Sequence, residues 1–190
     1  MSTTSGQVVE RLKQYIPKDS IAYQILDLFS DTDVYIGITE EGDQLANGSY
    51  MWYSDGTHTI WISKEKFEET NMEYNAKSIV HEMVHAFTAR SFENVKNGVG
   101  TDLEKKVYDK VKSLLKLNKV MYTMSYIKNG KWTGSLYGLK DEFEFIAEFL
   151  TNGEFVNRII DDARQRGLLE KVIYQIKEVW FAIVDLLTGK

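Results

Sequence analysis

The spacing of apolar residues predicts helices near the N-terminus and through most of the second half of the chain. Residues 8–30 have helical spacing that is interrupted at Pro17, so they predict one or two helices broken near that residue. Residues 101–117 and 168–187 repeat apolar positions every three or four residues, which predicts two further helices. Residues 1–7 are polar, and we expect them to form a disordered tail.

Alternation of apolar and polar residues predicts a small sheet between these helical regions. Residues 33–39 form one predicted strand. The segments 50–53 and 56–63 predict a hairpin, because Ser54-Asp55-Gly56 between them is a turn signal. A small twisted sheet combined with a mostly helical C-terminal half is typical of the α+β class.

The segment NAKSIVHEMVHAFTARSF, which begins at Asn75, contains no glycine or proline and predicts an amphipathic helix. Its polar stripe consists of Ser78, His81, His85 and Thr88. Its apolar stripe consists of Ile79, Val80, Met83 and Phe87. We therefore expect the apolar stripe to pack on a core, with the small sheet against this helix, and the histidines to face a cleft.

The run His81-Glu82-Met83-Val84-His85 on this helix spells the metallopeptidase motif H-E-x-x-H. Residues i and i+4 of a helix share a face, so the two imidazoles can bind one zinc ion while Glu82 reaches the water on that ion. The chain contains three histidines, and two of them lie in this motif. The alternative is a helix that carries two unrelated surface histidines.

A catalytic zinc site of this kind needs a third protein ligand. No third histidine follows closely downstream and the chain has no cysteine, so the candidates are a carboxylate or His58. His58 lies in a predicted strand, where a solvent-facing histidine is the favoured interpretation. The better candidates lie in residues 141–150, which predict a helix with Asp141, Glu144, Glu148 and Asn152 on one polar stripe. A solvated acidic face is the alternative for this stripe.

Tyr137-Gly138 followed by Glu144-Phe145-Ile146-Ala147-Glu148-Phe149 resembles the second half of the active site in anthrax lethal factor-type metallopeptidases. The Pro-Pro endopeptidases share the spacing from tyrosine to glutamate. Similar segments also follow H-E-x-x-H in zincin-like proteins of tailed phages. The resemblance covers about residues 75–152 and does not extend to residues 86–136 between the two motifs.

The resemblance implies a zincin fold and a role for each matching residue. His81, His85 and Glu144 would be the metal ligands, and Glu82 would be the general base. Tyr137 would donate a hydrogen bond to the oxyanion. Glu148 would hold a ligand histidine in one tautomer from the second coordination shell. The second strand of the hairpin would form the cleft rim, where an extended peptide could pair with its edge.

Length and composition narrow the class of protein. A chain of 190 residues fits one domain spanning 1–190, and 43% hydrophobic with 27% charged residues fits a soluble globular protein. The net charge of −5 argues against a nucleic-acid partner. Charged residues interrupt the apolar segment 168–187, which argues against a membrane span; among them are Lys171, Lys177, Glu178 and Asp185. We expect this segment to be a core helix, and a partner-docking helix is the alternative.

These patterns together predict a zinc-dependent endopeptidase that hydrolyses a peptide bond in a protein or peptide substrate with metal-activated water. Manganese, cobalt or nickel can occupy similar sites. One alternative is a phage-encoded virion or cargo protein with a structural or vestigial metal site, and another is an intracellular peptidase that acts on a protein repressor. The N-terminus has no apolar segment typical of a signal peptide, so we expect a cytoplasmic location, or a virion if the protein is phage-encoded.

Overall fold

A computed structural model of the protein describes residues 2–3, 5–29, 35–39, 49–52, 58–63, 72–121, 127–128, 131–132 and 134–188. The described part of the chain is mostly helical and contains one small sheet and one short hairpin. The chain divides into two compact units, residues 1–87 and 88–190. The dividing point falls within a continuous helix, Met72–Lys96, which therefore contributes residues to both units. The prediction of one domain spanning the whole chain stays a prediction.

The α-helices fall on the predicted helical segments, except for one at Gly153–Gln165 that was not predicted. They are α1 (Ser5–Lys13), α2 (Ile21–Phe29), α3 (Met72–Lys96), α4 (Asp102–Met121), α5 (Glu142–Thr151), α6 (Gly153–Gln165) and α7 (Leu169–Thr188), and a 3₁₀ helix spans Gly134–Leu139. The break between α1 and α2 contains Pro17, as predicted. None of the helices among the described residues is long and apolar enough to cross a membrane.

The first unit contains a four-stranded sheet. Its strands are β1 (Ser2–Thr3), β2 (Tyr35–Thr39), β3 (Ser49–Trp52) and β4 (His58–Ser63), in the order β1-β2-β4-β3. Strands β3 and β4 are antiparallel, with Trp52 opposite His58, which confirms the predicted hairpin. The predicted turn at residues 54–56 lies outside the described residues.

Two expectations about this sheet need correction. Strand β4 pairs in parallel with β2 on one side and with β3 on the other, so a peptide cannot pair with an edge of β4. Among the described strands, β3 lies at the end of the sheet order. Residues 1–7 were expected to be a disordered tail, but Ser2–Thr3 pairs with β2 and α1 begins at Ser5. The backbone hydrogen bonds of this pairing give the polar segment an ordered conformation without an apolar pattern.

Close packing within the sheet explains a glycine in β2. Gly37 is the register partner of Trp61 in β4, and a Cβ atom at Gly37 would collide with the Trp61 ring. Glycine therefore lets the indole lie across the neighbouring strand. Ile60 and Ile62 in β4 are fully buried, so one face of this strand belongs to the core of the unit.

The second unit is helical, and α7 packs against both α4 and α6. Val172, Val179 and Ile183 on α7 are buried, as expected of a core helix. Tyr174 and Phe181 on the same helix are 62% and 60% exposed, so α7 also presents aromatic side chains to solvent. A short hairpin, β5 (Ile127–Lys128) and β6 (Lys131–Trp132), precedes the 3₁₀ helix.

Helix α4 begins with a reciprocal pair of hydrogen bonds. The Thr101 hydroxyl accepts the backbone N–H of Glu104, and the Glu104 carboxylate accepts the backbone N–H of Thr101 at 2.7 Å. The Asn94 amide from the end of α3 donates to the other Glu104 oxygen at 3.1 Å. Burial acts to raise the pKa of Glu104, but these hydrogen bonds outweigh burial and the net pKa is lowered. The carboxylate thus links the ends of two helices.

Candidate metal centre

Helix α3 places both histidines of the H-E-x-x-H motif on one side. Ile79, Val80 and Met83 are buried, which confirms the predicted apolar stripe at these positions, whereas Phe87 is half-buried. Thr88 was predicted to lie on the polar stripe with the histidines, but it is fully buried. Thr88 belongs to the second unit, and Phe92, four residues further along the helix, is also fully buried.

The two imidazoles face each other closely. Their Nε2 atoms are 3.1 Å apart, and the ring centroids are 4.7 Å apart with an interplanar angle of 75°. Both side chains are half-buried. Two nitrogens about 2.0–2.1 Å from one tetrahedral zinc ion would be roughly 3.3 Å apart. The observed distance therefore fits two ligands of one ion with little movement of either ring.

Glu144 joins the two histidines in a group that could hold a metal ion. One ligand atom from each of His81, His85 and Glu144 lies within 4.8 Å of the other two, and all three side chains are half-buried. This is the one such group of histidines and acidic residues found among the described residues. Glu82, the predicted general base, is half-buried. It lies between the two histidines in the sequence. For His58 the structure describes only the backbone, which begins β4.

The first turn of α5 holds Glu144 in place. Asp141 is the N-cap of this helix, and one of its carboxylate oxygens accepts the backbone N–H groups of Phe143 and Glu144 at 3.0 and 2.9 Å. The helix ends at Thr151, and Asn152 caps both the end of α5 and the start of α6. Of the four residues predicted on one helical stripe, Glu144 and Glu148 therefore lie within the helix, while Asp141 and Asn152 are caps.

Tyr137 lies in the 3₁₀ helix and contacts Glu144 directly. Its hydroxyl donates to Oε1 of Glu144 at 3.0 Å, and the side chain is 40% exposed. Burial is the largest influence that raises the pKa of the Tyr137 phenol, and the hydrogen bond to the carboxylate raises it further. The phenol therefore keeps its proton at neutral pH and remains a donor. The predicted hydrogen bond from Tyr137 to an oxyanion stays a prediction.

Lys140 belongs to this arrangement, although sequence reasoning did not identify it. Its Nζ atom lies 3.4 Å from the Tyr137 hydroxyl and 3.7 Å from Oε1 of Glu144. Burial acts to lower the pKa of Lys140, but its contact with Tyr137 and the nearby carboxylates outweigh burial and raise it. The available signal was the spacing, since Lys140 lies four residues before Glu144, the separation that allows an ion pair along a helix.

Close packing explains why the residue after Tyr137 is a glycine, Gly138. A Cβ atom at Gly138 would lie 2.9 Å from Cβ and Cγ of Glu148 and 2.8 Å from the ring of Phe155. The 3₁₀ helix can therefore approach α5 this closely only without a side chain at that position. Glu148 accepts a hydrogen bond from the Asn152 amide at 2.7 Å. Its predicted contact with a ligand histidine stays a prediction.

No protein-family model, curated protein or solved structure matches the chain. The interpretation of the site therefore depends on its residues and their geometry.

Proposed function

We propose that this protein is a zinc-dependent endopeptidase with a zincin-like fold. The observation that supports the proposal most strongly is the group His81, His85 and Glu144, whose ligand atoms lie within 4.8 Å of one another. Two histidines and a glutamate are the protein ligands of one class of catalytic zinc sites. The sequence motif places a glutamate beside the first histidine, as the chemistry of such sites requires.

The donor set suits zinc better than calcium or magnesium. Those two ions prefer oxygen ligands, whereas imidazole nitrogen with one carboxylate is a common zinc environment. Three protein ligands also leave a fourth position for water or a substrate oxygen. When bound, zinc would lower the pKa of a coordinated water and polarise a carbonyl group.

Glu82 is the proposed general base. Its carboxylate would accept a proton from the attacking water and pass it to the leaving amine, so that one residue serves both steps of the hydrolysis. Tyr137 would orient the Glu144 carboxylate through the hydrogen bond from its hydroxyl to Oε1. The phenol has one O–H group, so a hydrogen bond to an oxyanion would replace the one to Glu144 once a substrate is bound.

The first experiment measures the metal content of protein purified without a chelator or added metal. We expect about one zinc per chain, since the site supplies one complete ligand set. The variants His85→Ala and Glu144→Ala should lose this zinc. Glu154→Ala is a suitable control, because Glu154 is an exposed residue at the start of α6. Wild-type protein that neither contains nor takes up zinc would refute the metal site.

A second experiment separates catalysis from metal binding. Wild-type protein is incubated with a peptide library, and cleavage products are identified by mass spectrometry. The variant Glu82→Gln should retain zinc while the cleavage rate falls by roughly a hundredfold to ten-thousandfold. An unchanged rate in this variant would exclude Glu82 as the base. Zinc binding without any cleavage by the wild type would instead favour a protein whose metal is structural.

A further inference from the structure

Five side chains form an ionic and aromatic cluster where the end of α3, helix α4 and the first turn of α5 meet. The cluster consists of Phe92, Lys96, Tyr108, Glu142 and Phe143. Lys96 Nζ lies 2.5 Å from Oε1 of Glu142, and the Tyr108 hydroxyl donates to the same oxygen at 3.1 Å. The side chain of Glu142 is only 16% exposed. A carboxylate buried to this degree needs both donors, because removal of either one would leave a buried charge with too few hydrogen-bond partners.

The aromatic residues of the cluster make further contacts between the first turn of α5 and the end of α3. Lys96 Nζ lies 4.4 Å from the centroid of the Phe143 ring, which is a favourable cation–π geometry. The Phe92 ring is 5.5 Å from the Phe143 ring and 5.2 Å from the Tyr108 ring. Two consecutive residues of α5, Glu142 and Phe143, are therefore bound to the end of α3. Glu144 follows directly after them.

Helix geometry relates this cluster to the histidines. With about 100° of rotation per residue, His81, His85, Phe92 and Lys96 all fall within about 60° of one another around α3. The side of α3 that carries the imidazoles thus also carries the cluster residues, beginning about two turns further along. The turns that carry the histidines and the C-terminal turns that carry Phe92 and Lys96 belong to the same continuous helix.

We propose that Lys96 and Glu142 are positioning residues for the metal ligand Glu144. The Lys96–Glu142 pair fixes the first turn of α5 to the helix that supplies both histidines, and so sets the position of the Glu144 carboxylate. The pair itself does not touch the metal. This inference rests on the proposed function, because it assumes that the three residues bind zinc.

The test measures zinc affinity by competition with a chromophoric chelator. The variant Lys96→Met removes the charge but keeps an unbranched stem to pack on Phe143. The matched control is Lys110→Met, which breaks the Lys110–Glu178 pair of similar length, 2.7 Å, in the same unit. Lys96→Arg restores the charge, and Glu142→Gln supplies an independent variant of nearly unchanged shape. Circular dichroism and thermal unfolding of the metal-free proteins establish that each variant folds.

We expect Lys96→Met and Glu142→Gln to weaken zinc binding by roughly tenfold to a hundredfold, the range found when supporting groups around a metal site are removed. Lys96→Arg should recover most of the affinity, which a general loss of stability would not predict. Zinc affinities of both variants equal to that of Lys110→Met would overturn the inference while leaving the zinc site intact. Failure of the wild type to bind zinc would refute the proposed function itself, and this inference with it.

Discussion

Replacing Gly138 by alanine adds a single methyl group at the closest approach between the 3₁₀ helix and α5. The new Cβ would lie 2.8 Å from the Phe155 ring and 2.9 Å from two carbons of Glu148, and contacts this short force a displacement. Phe155 is 2% exposed, so it has little space to move into. Overpacking of this kind costs about 1–3 kcal/mol of unfolding free energy. We therefore expect Gly138→Ala to lower stability by an amount in that range.

Gly153→Ala provides a matched control for this prediction. It is the same substitution in the same unit, but nothing lies within 4 Å of the Cβ that it would add at the start of α6. Alanine is preferred to glycine in helices by up to about 1 kcal/mol, so this control should be neutral or slightly stabilising.

Thermal unfolding followed by circular dichroism distinguishes the two variants. For a chain of this size, 1 kcal/mol shifts Tm by about 2–4 °C, so Gly138→Ala should lower Tm by roughly 2–12 °C. Gly153→Ala should leave Tm unchanged or raise it. Equal Tm values for Gly138→Ala and the wild type would refute the close approach, and with it the explanation of why glycine follows the tyrosine.

Three further predictions concern stability and the metal site. Burial acts to raise the pKa of Glu104, but hydrogen bonds at the start of α4 lower it overall. The ionised carboxylate therefore stabilises the folded protein at pH values above its unfolded pKa, and this stabilisation is lost as the pH falls through its folded pKa. Urea titrations should accordingly show a stability deficit for Glu104→Gln at neutral pH that shrinks under acidic conditions, and a deficit independent of pH would contradict this assignment. Asn152→Ala should cost about 1 kcal/mol in urea unfolding because the cap of α6 is lost, whereas Asn152→Asp should keep the cap but replace the hydrogen bond to Glu148 by repulsion between two carboxylates. Tyr137→Phe removes the hydroxyl that donates to Glu144 and should weaken zinc binding by about tenfold in chelator competition, and an unchanged affinity would show that this hydrogen bond does not support the ligand.

The elements that could be predicted from the sequence are those specified by local patterns. Apolar residues at helical spacing identified α7, and a break at Pro17 separated α1 from α2, because both signals act within a few residues along the chain. The hairpin of β3 and β4 was predictable for the same reason, since alternation on both sides of a turn signal specifies two adjacent antiparallel strands.

The boundary between α5 and α6 shows where local patterns stop being sufficient. Asn152 continues the polar stripe of Glu144 and Glu148 at helical spacing, so its position in the sequence fits a single longer helix. In the structure its side chain instead accepts the backbone N–H of Phe155 and starts a new helix. Asparagine can occupy either position, and the choice depends on where Phe155, which is buried, packs in the core.

The sequence by itself determined which residues are available for metal chemistry and which of them are neighbours along one helix. His81, Glu82 and His85 have fixed relative positions because the helical repeat places residues four apart on one face. Only the tertiary structure decided that Lys140 and Tyr137 contact the Glu144 carboxylate and that Lys96 pairs with Glu142. The physical reason is that these contacts join residues on different elements, and their distances depend on how side chains such as Phe92 and Phe155 fill the core rather than on any repeat in the chain.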